Sequence, residues 1–424
     1  MKYSDLNLKT NILFFSIIFF FTYIGFYAIV LWILNIGMSG ETRLITIPLR
    51  GLIGVSLIFL VIINIRKIYP LWQTKIFFIF SAIYFIRIGT DYILNKPYYL
   101  TSMEVFFYFL SFAFLPFTVI SSVRLRKEYF KPIINSIYGS GIIFVFLATI
   151  TYREYIGKVE RLSPVSMGEE VVSPLILSYC SSLLIGTVIT YHLYNHTSKF
   201  RKIIGLILVL FSLIPFFLGA SRGSLVGLLA PFVLITLMQK RFSRILYNVL
   251  ILLVLLIGLI YFDNLLGSGL LNRFTDTAQN IKNEDSSAGL RILSWNNSFK
   301  QFLNNPFIGD KLAVNNWVNY AHNIFLEILQ TTGILGFLPF ILLLLNGLKI
   351  SFKIIKAYKE YSWIVVIFLQ SFIQHLFSGA IYTGAWLWTS LALIYSLDFF
   401  LKRLNNSTRN LRESSHSLNP NRIL

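Results

Sequence analysis

Runs of about 20 apolar residues recur along the whole chain, separated by short segments that carry most of the charges. A helix of about 20 residues crosses a hydrocarbon core roughly 30 Å thick, so each run predicts a membrane-spanning helix. The pattern predicts an all-α polytopic membrane protein with about twelve spans, at 12–35, 44–65, 76–94, 100–123, 132–152, 174–194, 203–220, 224–239, 245–262, 322–348, 361–380 and 383–401. The first run is too long for a signal-peptide core and lacks a small-residue cleavage pattern, so we expect a retained span.

Two outer connections are longer than the others, at 153–173 and 263–321. Loops of this length are usually functional or disordered, which favours an outward-facing site. An amphipathic helix is predicted from Arg291 to Leu303, lying across the outer mouth or on the membrane surface, with its apolar positions at Ile292, Trp295, Phe299 and Phe302. Residues 1–403 are expected to form one transmembrane domain, and 404–424 a disordered cytoplasmic tail.

Composition and charge exclude other classes of protein. With 56% hydrophobic and 13% charged residues, the chain does not resemble a soluble domain. The segments on the same side of the membrane as the N-terminus, together with Asp398 at the inner end of the last span, hold 24 of the 37 Lys and Arg residues but five of the 18 Asp and Glu residues, so they account for the whole net charge of +19. This asymmetry places both termini in the cytoplasm and indicates topology rather than nucleic-acid binding.

The sequence lacks the motifs that are typical of disulfides, ATP-driven pumps and metal-dependent transferases. The one cysteine, Cys180, excludes an intramolecular disulfide and a cysteine-based metal site. A Gly-rich phosphate loop that ends in Lys-Ser or Lys-Thr does not occur, which disfavours an ATP-driven pump. An Asp-X-Asp motif does not occur either, so a metal-dependent transferase of that kind is not supported. We therefore expect no metal and no cofactor.

Arg222 is the first candidate site residue. Only 36 residues, Ile203 to Met238, lie between two basic clusters that must both be cytoplasmic. At about 1.5 Å per residue this length is slightly short of two crossings, so Arg222 is expected at or just beneath the outer boundary. Small neighbours such as Ser221 and Gly223 leave room for bidentate contact between its guanidinium and a phosphate. The alternative is an arginine that extends to lipid headgroups.

A second candidate lies where the long loop enters a span. Asn323, Glu327 and Gln330 recur at i, i+4 and i+7, which predicts a polar stripe that faces into the bundle. His322 precedes this stripe at the outer surface, where a neutral imidazole can accept a proton from a sugar hydroxyl. The alternative is that this histidine lies at the membrane interface and takes no part in catalysis.

Further arginines lie in the two long outer loops, Arg161 in the shorter and Arg291 at the start of the amphipathic helix. Each by itself fits a solvated charge. Together they allow several guanidinium groups to converge above the membrane on a polyanionic headgroup such as a pyrophosphate, without a metal ion.

These motifs, in this order, resemble the O-antigen ligase and polymerase family over about residues 155–395. The resemblance is carried by Gly219-Ala220-Ser221-Arg222-Gly223-Ser224, Arg291 with Trp295, Asn305-Pro306-Phe307-Ile308-Gly309, Ala321-His322-Asn323-Ile324-Phe325-Leu326-Glu327 and Thr332-Gly333-Ile334-Leu335-Gly336. It implies a metal-independent, inverting glycosyltransferase of the inner membrane with its active site facing the periplasm. The implied donor is a glycan linked to undecaprenyl pyrophosphate.

The resemblance also implies roles for individual residues. His322, Arg222 and Arg291 would be catalytic, and Arg161 would bind substrate. From their places beside these residues in the sequence, we also expect Ser221, Gly223, Asn323 and Glu327 to bind substrate. Membrane lipids, a chain-length regulator and a flippase are the expected partners, and no nucleic acid is expected.

Three functions fit these observations. A polymerase would move the glycan onto a new lipid-linked repeat unit, and a ligase would move it onto lipid A-core. The Phe-, Ile- and Asn-rich composition is typical of AT-rich polysaccharide gene clusters and favours the polymerase. A lipid-linked glycan flippase or other transporter also has about twelve spans, but its halves are usually comparable and its site lies at mid-membrane.

Overall fold

The computed structural model describes residues 3–33, 42–64, 71–162, 173–238, 242–276, 287–316 and 319–417. Every regular element within these ranges is a helix, which confirms the all-α prediction. The α-helices are α1 (Tyr3–Phe20), α2 (Phe26–Ile33), α3 (Thr42–Asn64), α4 (Trp72–Ile93), α5 (Ser102–Phe109), α6 (Leu115–Ser122), α7 (Lys127–Thr151), α8 (Pro174–Tyr194), α9 (Lys199–Gly219), α10 (Arg222–Leu237), α11 (Phe242–Leu266), α12 (Leu270–Thr275), α13 (Ser287–Asn304), α14 (Ile324–Ala357), α15 (Ser362–Phe377) and α16 (Ala385–Ser417).

The helices follow the apolar runs of the sequence. Each predicted span overlaps helical residues, and eight of the described helices are long and apolar enough to cross a membrane. A polytopic membrane protein is therefore confirmed, whereas the count of twelve crossings stays a prediction. Two π-helical turns join consecutive helices, Phe21–Gly25 between α1 and α2 and Leu110–Phe114 between α5 and α6. Such turns redirect side chains and occur frequently at functional sites.

Helix α8 lies at the centre of the helices that carry the candidate site. Nearly all of its residues up to Thr190 are buried, because α7, α9, α10 and α15 pack around it. Helix α11 is the opposite case, since its buried residues are Asn248, Leu259 and Asp263. Its exposed apolar surface is typical of a helix that faces lipid.

Helix α14 is broken at Gly333, whose φ of 61° and ψ of −160° are not helical. The backbone segment 306–310 crosses the helix at this break. A Cβ on Gly333 would lie 2.4 Å from the carbonyl carbon of Phe307, and a Cβ on Gly309 would lie equally close to the carbonyl carbon of Thr331. Glycine is therefore required on both sides, because only two backbones without Cβ atoms can approach so closely.

Hydrogen bonds hold the crossing together. The N–H groups of Ile334 and Leu335, which the break frees, donate to the carbonyl oxygens of Pro306 and Phe307 at 2.9 and 3.1 Å. The Arg87 guanidinium of α4 donates to four further carbonyl oxygens on the two segments, those of Ile308, Gly309, Asp310 and Thr331. The crossing thus replaces the helical hydrogen bonds that α14 loses at Gly333.

Helix α13 confirms the amphipathic helix predicted from Arg291 to Leu303. Its buried positions include polar side chains, Ser294, Ser298 and Gln301, whereas Leu293, Phe299 and Leu303 on the other side are between 43% and 57% exposed. Gln301 accounts for this orientation, since its amide binds the backbone of Ala313 and Asn315 at 3.1 and 2.7 Å. The polar side supports the following loop, and the apolar side is left for an apolar surrounding.

Helix α16 continues to Ser417, past the point where the sequence predicted disorder from residue 404. The difference has a physical reason, because the stem of α16 is buried up to Leu401 and a helix propagates more easily than it starts. Residues 418–424, and the segments 163–172, 277–286 and 317–318 of the predicted outer loops, lie outside the described residues.

Replacing Gly333 by alanine should destabilise the fold. The added Cβ would meet the Phe307 carbonyl group at 2.4 Å, and the positive φ disfavours alanine. We expect a loss of about 1–3 kcal/mol, measured as a lower midpoint of thermal unfolding in detergent. Gly258→Ala is the matched control, because a Cβ there meets nothing within 4 Å and alanine favours helix. Equal midpoints for the two variants would contradict the role of the crossing.

Candidate functional site

The tight turn between α9 and α10 forms the base of the candidate site. Ala220 adopts the left-handed conformation with φ 38°, and a Cβ on Gly219 would lie 2.2 Å from the Pro174 carbonyl oxygen. The Ser178 hydroxyl of α8 donates to the Phe216 carbonyl oxygen at 2.8 Å and accepts from the Ser221 N–H at 3.2 Å. The central helix therefore fixes the turn, and with it the start of α10 at Arg222.

Guanidinium groups surround this turn. Arg161 donates through Nε to the Gly219 carbonyl oxygen at 3.2 Å, and Arg273 donates to the Ala220 carbonyl oxygen at 2.9 Å. Arg222 in turn donates to the carbonyl oxygen of Arg273 at 3.3 Å. Arg291 of α13 lies within electrostatic range of both Arg222 and Arg273. The structure thus brings together Arg161, Arg222 and Arg291, the three arginines singled out in the sequence.

Arg273 is a fourth member that the sequence reasoning missed. It lies on the short helix α12, which Asp263 holds by accepting hydrogen bonds from the backbone N–H groups of Leu270 and Leu271 at 3.0 and 3.2 Å. Burial lowers the pKa of Arg273, Arg291 lowers it further, and Glu160 partly opposes the shift. A cation held among cations in this way favours the approach of an anion.

His322 lies beside this arginine group, on the segment between α13 and α14. Its ring packs on the Tyr320 ring with centroids 4.2 Å apart, and its Nδ1 is buried without a hydrogen-bond partner among the described residues. Burial, and secondly the charge of Arg291, lower the pKa of His322 to about 4. The imidazole is therefore neutral at physiological pH and available as a proton acceptor.

Tyr179 of α8 connects the two halves of the site. Its hydroxyl lies close to the side chains of Ser221 and Ser378, and Arg291 and Arg161 lie within electrostatic range. A Cβ on Gly223 would lie 2.8 Å from this hydroxyl. Ser221 and Gly223 therefore lie at the site, where Ser221 is a polar neighbour of Tyr179 and Gly223 gives it space.

Asn323 and Glu327 bind neighbouring backbone instead of joining the arginine group. Asn323 is the N-cap of α14, accepting from the Phe325 and Leu326 N–H groups at 3.0 and 3.3 Å. The Glu327 carboxylate is buried and accepts from the Ile381 N–H at 3.1 Å. The structure does not bring these two side chains to the arginines, and their predicted contact with substrate stays a prediction.

Gln330 completes the polar stripe predicted on α14. Its amide donates to the carbonyl oxygens of Lys311 and Leu312 at 3.1 and 3.2 Å. The stripe therefore faces into the bundle, where it supports the loop that precedes His322.

In the described part of the chain, His, Cys, Asp and Glu side chains form no group of three that could hold a metal ion. The expectation of a metal-independent reaction stays a prediction.

Comparison with known families identifies this same region of the chain. Residues 206–341 match the model of a family described as O-Antigen ligase. The match covers about a third of the chain and includes Arg222, Arg273, Arg291 and His322, whereas Arg161 lies before it. No curated protein matches the chain significantly. The match confirms the resemblance that the sequence motifs indicated.

Replacing Arg291 by glutamine should raise the pKa of His322. Removing the guanidinium removes its repulsion of a protonated imidazole, while burial still keeps the pKa below the ordinary 6.5. The measurement is a 15N NMR titration of histidine-labelled protein, assigned by comparison with His322→Asn. Lys300→Gln, which removes an exposed charge on the same helix, should leave the pKa near 4. A pKa of 6.5 in the unsubstituted protein would contradict this account of the site.

Proposed function

From the premise that the match to the O-antigen ligase model supports membership of the O-antigen ligase and polymerase family, we propose that this multi-pass membrane protein polymerises a surface polysaccharide. The family implies an enzyme that transfers glycosyl groups. In our proposal the donor is a glycan linked to polyprenyl pyrophosphate. The acceptor is a new lipid-linked repeat unit on the outer face of the bacterial inner membrane.

The observation that carries the proposal is the meeting of four guanidinium groups and a neutral imidazole. Arg161, Arg222 and Arg273 are joined through the turn that precedes α10, and Arg291 links them electrostatically to His322. Guanidinium groups match the geometry of phosphate oxygens and stay charged at every physiological pH. The N-terminus of α10 opens at the same place and adds the positive end of its dipole.

The proposed reaction is an inverting displacement at the anomeric carbon of the donor sugar. The acceptor hydroxyl oxygen forms a bond to this carbon, and the bond between the carbon and the pyrophosphate oxygen breaks with its electron pair on that oxygen. His322 accepts the proton of the hydroxyl group. The arginine group stabilises the negative charge that develops on the pyrophosphate, which is the charge a metal ion would otherwise neutralise.

Because the pyrophosphate is a good leaving group, charge stabilisation and positioning contribute more than proton transfer. Arg161, Arg222 and Arg273 are held by backbone carbonyl groups before substrate binds. They therefore need little reorganisation as the leaving group becomes charged. His322 then orients the hydroxyl as well as accepting its proton.

Replacing Arg222 by lysine should reduce polymer output although the charge is kept. Lysine loses the planar pair of donors that contacts two phosphate oxygens. Losing one such charge-assisted hydrogen bond, about 1.5–3 kcal/mol, corresponds to a reduction of roughly 10- to 100-fold. The measurement is the amount of surface polysaccharide at matched protein level, with Lys300→Arg as the control. Full output from Arg222→Lys would contradict the role of Arg222.

Deleting the gene should distinguish a polymerase from a ligase on a surface-polysaccharide gel. A polymerase deletion leaves core that carries a single repeat unit, whereas a ligase or flippase deletion leaves core without any repeat. Complementation with His322→Ala should fail to restore the ladder, because this variant loses both the group that orients the acceptor hydroxyl and the group that accepts its proton. An unchanged ladder in the deletion strain would contradict the proposed function.

A further inference from the structure

A cavity of about 500 Å³ lies between helices, and its lining includes Tyr179 and Tyr320 but none of the four arginines of the site. Its volume lies within the range of ligand pockets, about 300–1,000 Å³. Aromatic rings from several helices form much of its wall, among them Phe26, Tyr27, Tyr108 and Trp386. The cavity adjoins the site already described but extends into a part of the molecule that no step of the proposed reaction uses.

Three residues that line this cavity carry buried polar atoms without partners. Thr22 Oγ1, Arg50 Nε and Gln374 Nε2 are buried and have no hydrogen-bond partner in the described part of the structure. A buried polar group without a partner is destabilising, so three around one cavity favour a polar ligand that satisfies them. Two of the three atoms are nitrogen donors, which indicates a ligand rich in acceptor oxygens.

Arg50 provides the charge of this cavity. It lies about two turns inside α3, an apolar helix in which a charged residue is costly and by default functional. One terminal nitrogen donates to the Tyr108 hydroxyl at 2.9 Å, and the guanidinium stacks on the Tyr108 ring at 3.9 Å. Among the described residues Arg50 forms no ion pair with a carboxylate. Its orientation is thus fixed by a neutral group, and its charge remains available to an anion.

Glu104 is the one acidic side chain among the lining residues, and it forms no ion pair with Arg50. Its Oε2 accepts from the backbone N–H and the hydroxyl of Thr101 at 3.0 and 3.1 Å, in the capping box that starts α5. The π-helical turn Phe21–Gly25 contributes Thr22 to the wall, and the turn Leu110–Phe114 contributes Phe112. Both irregular turns therefore face the same cavity.

Two tyrosines connect the cavity to the arginine and histidine site. Tyr179 lines the cavity and lies within electrostatic range of Arg291. Tyr320 also lines it and packs directly on the His322 ring. A ligand that extends past the Tyr320 ring therefore reaches His322, which must come within hydrogen-bond distance of the acceptor hydroxyl to take its proton.

We propose that this cavity binds the acceptor, a second lipid-linked saccharide whose pyrophosphate contacts Arg50. This inference rests on the proposed function and adds a separate anion site to it. The aromatic walls pack against the sugar rings, Thr22 and Gln374 bind their oxygens, and the reacting hydroxyl points past Tyr320 towards His322. The arginine group at the start of α10 then binds the donor pyrophosphate alone, so each substrate has its own cation.

The test counts binding sites for a short prenyl pyrophosphate. Farnesyl pyrophosphate is titrated by calorimetry into the full-length protein in detergent micelles. We expect two binding sites in the unsubstituted protein. Arg50→Gln should keep only the site at Arg222, Arg222→Gln should keep only the site at Arg50, and the double variant should have neither. Lys300→Gln, which changes an exposed cation, should retain both sites.

The outcomes separate this inference from the proposed function. Two sites in Arg50→Gln, or a single site that only Arg222→Gln removes, would overturn the acceptor site and leave the proposed function intact. A single site that only Arg50→Gln removes would support the cavity and contradict the donor site at Arg222.

Thr22→Val is the second variant, because it keeps the shape of the side chain and removes only the hydroxyl group. We expect its thermal unfolding midpoint to be unchanged or higher, since an unpartnered buried hydroxyl is lost. We expect the affinity of the Arg50 site for a farnesyl pyrophosphate that carries a sugar to fall several-fold, while its affinity for farnesyl pyrophosphate itself and the affinity of the Arg222 site are kept. Unchanged affinity of the Arg50 site for the probe that carries a sugar would overturn the proposed contact and does not depend on how Arg50→Gln folds.

Discussion

The crossing of two backbone segments at Gly333 is the constraint on which the outer part of the site depends. A helix break in a membrane protein leaves polar groups that lipid cannot satisfy. Here the segment containing Gly309 satisfies them, and the same segment continues through the loop that ends at His322. Arg87 binds carbonyl groups of both segments. The position of the histidine is therefore set by backbone contacts some distance from the chemistry.

The arginine group depends on the opposite ends of two helices that meet in one turn. The last carbonyl groups of a helix carry partial negative charge, and the first N–H groups of the next helix carry partial positive charge. Arg161 and Arg273 donate to carbonyl oxygens at the end of α9, which offsets part of the repulsion between the guanidinium groups. The start of α10 adds to that repulsion and is left for an anion. The same turn thus assembles the cations and increases their demand for a polyanionic ligand.

The sequence predicted the helices well because hydrophobic runs of this length have one stable arrangement in lipid. It also singled out candidate residues, Arg222 and His322 from their positions at the predicted outer ends of apolar runs and Arg291 from the start of an amphipathic helix in the long outer loop. Arg273 had no comparable signal, since it lies in a loop where charges of both signs are frequent. Only the capping of α12 by Asp263 brings it to the turn. Contacts of this kind depend on how distant segments meet, which periodicity does not contain.

Periodicity also identifies which residues share a helix face without saying what covers that face. On α13 the spacing of apolar residues was predicted correctly, but the buried side includes Gln301 because the adjacent loop needs partners for its backbone. Arg50 is a related case. From the sequence alone, an arginine inside an apolar run can either extend to lipid headgroups or bind a ligand. Its stacking on Tyr108 and its place in the cavity wall favour ligand binding.

The exact start of α14 decides the geometry of His322. Because Asn323 caps the helix from outside, His322 is not helical and adopts a φ of 57°, which is uncommon for residues other than glycine. Such a conformation persists only where the surroundings enforce it, here through the cap and the buried Ala321. Burial and the charge of Arg291 then keep the ring neutral. The strain at one residue therefore places a proton acceptor beside cations that would otherwise repel a protonated imidazole.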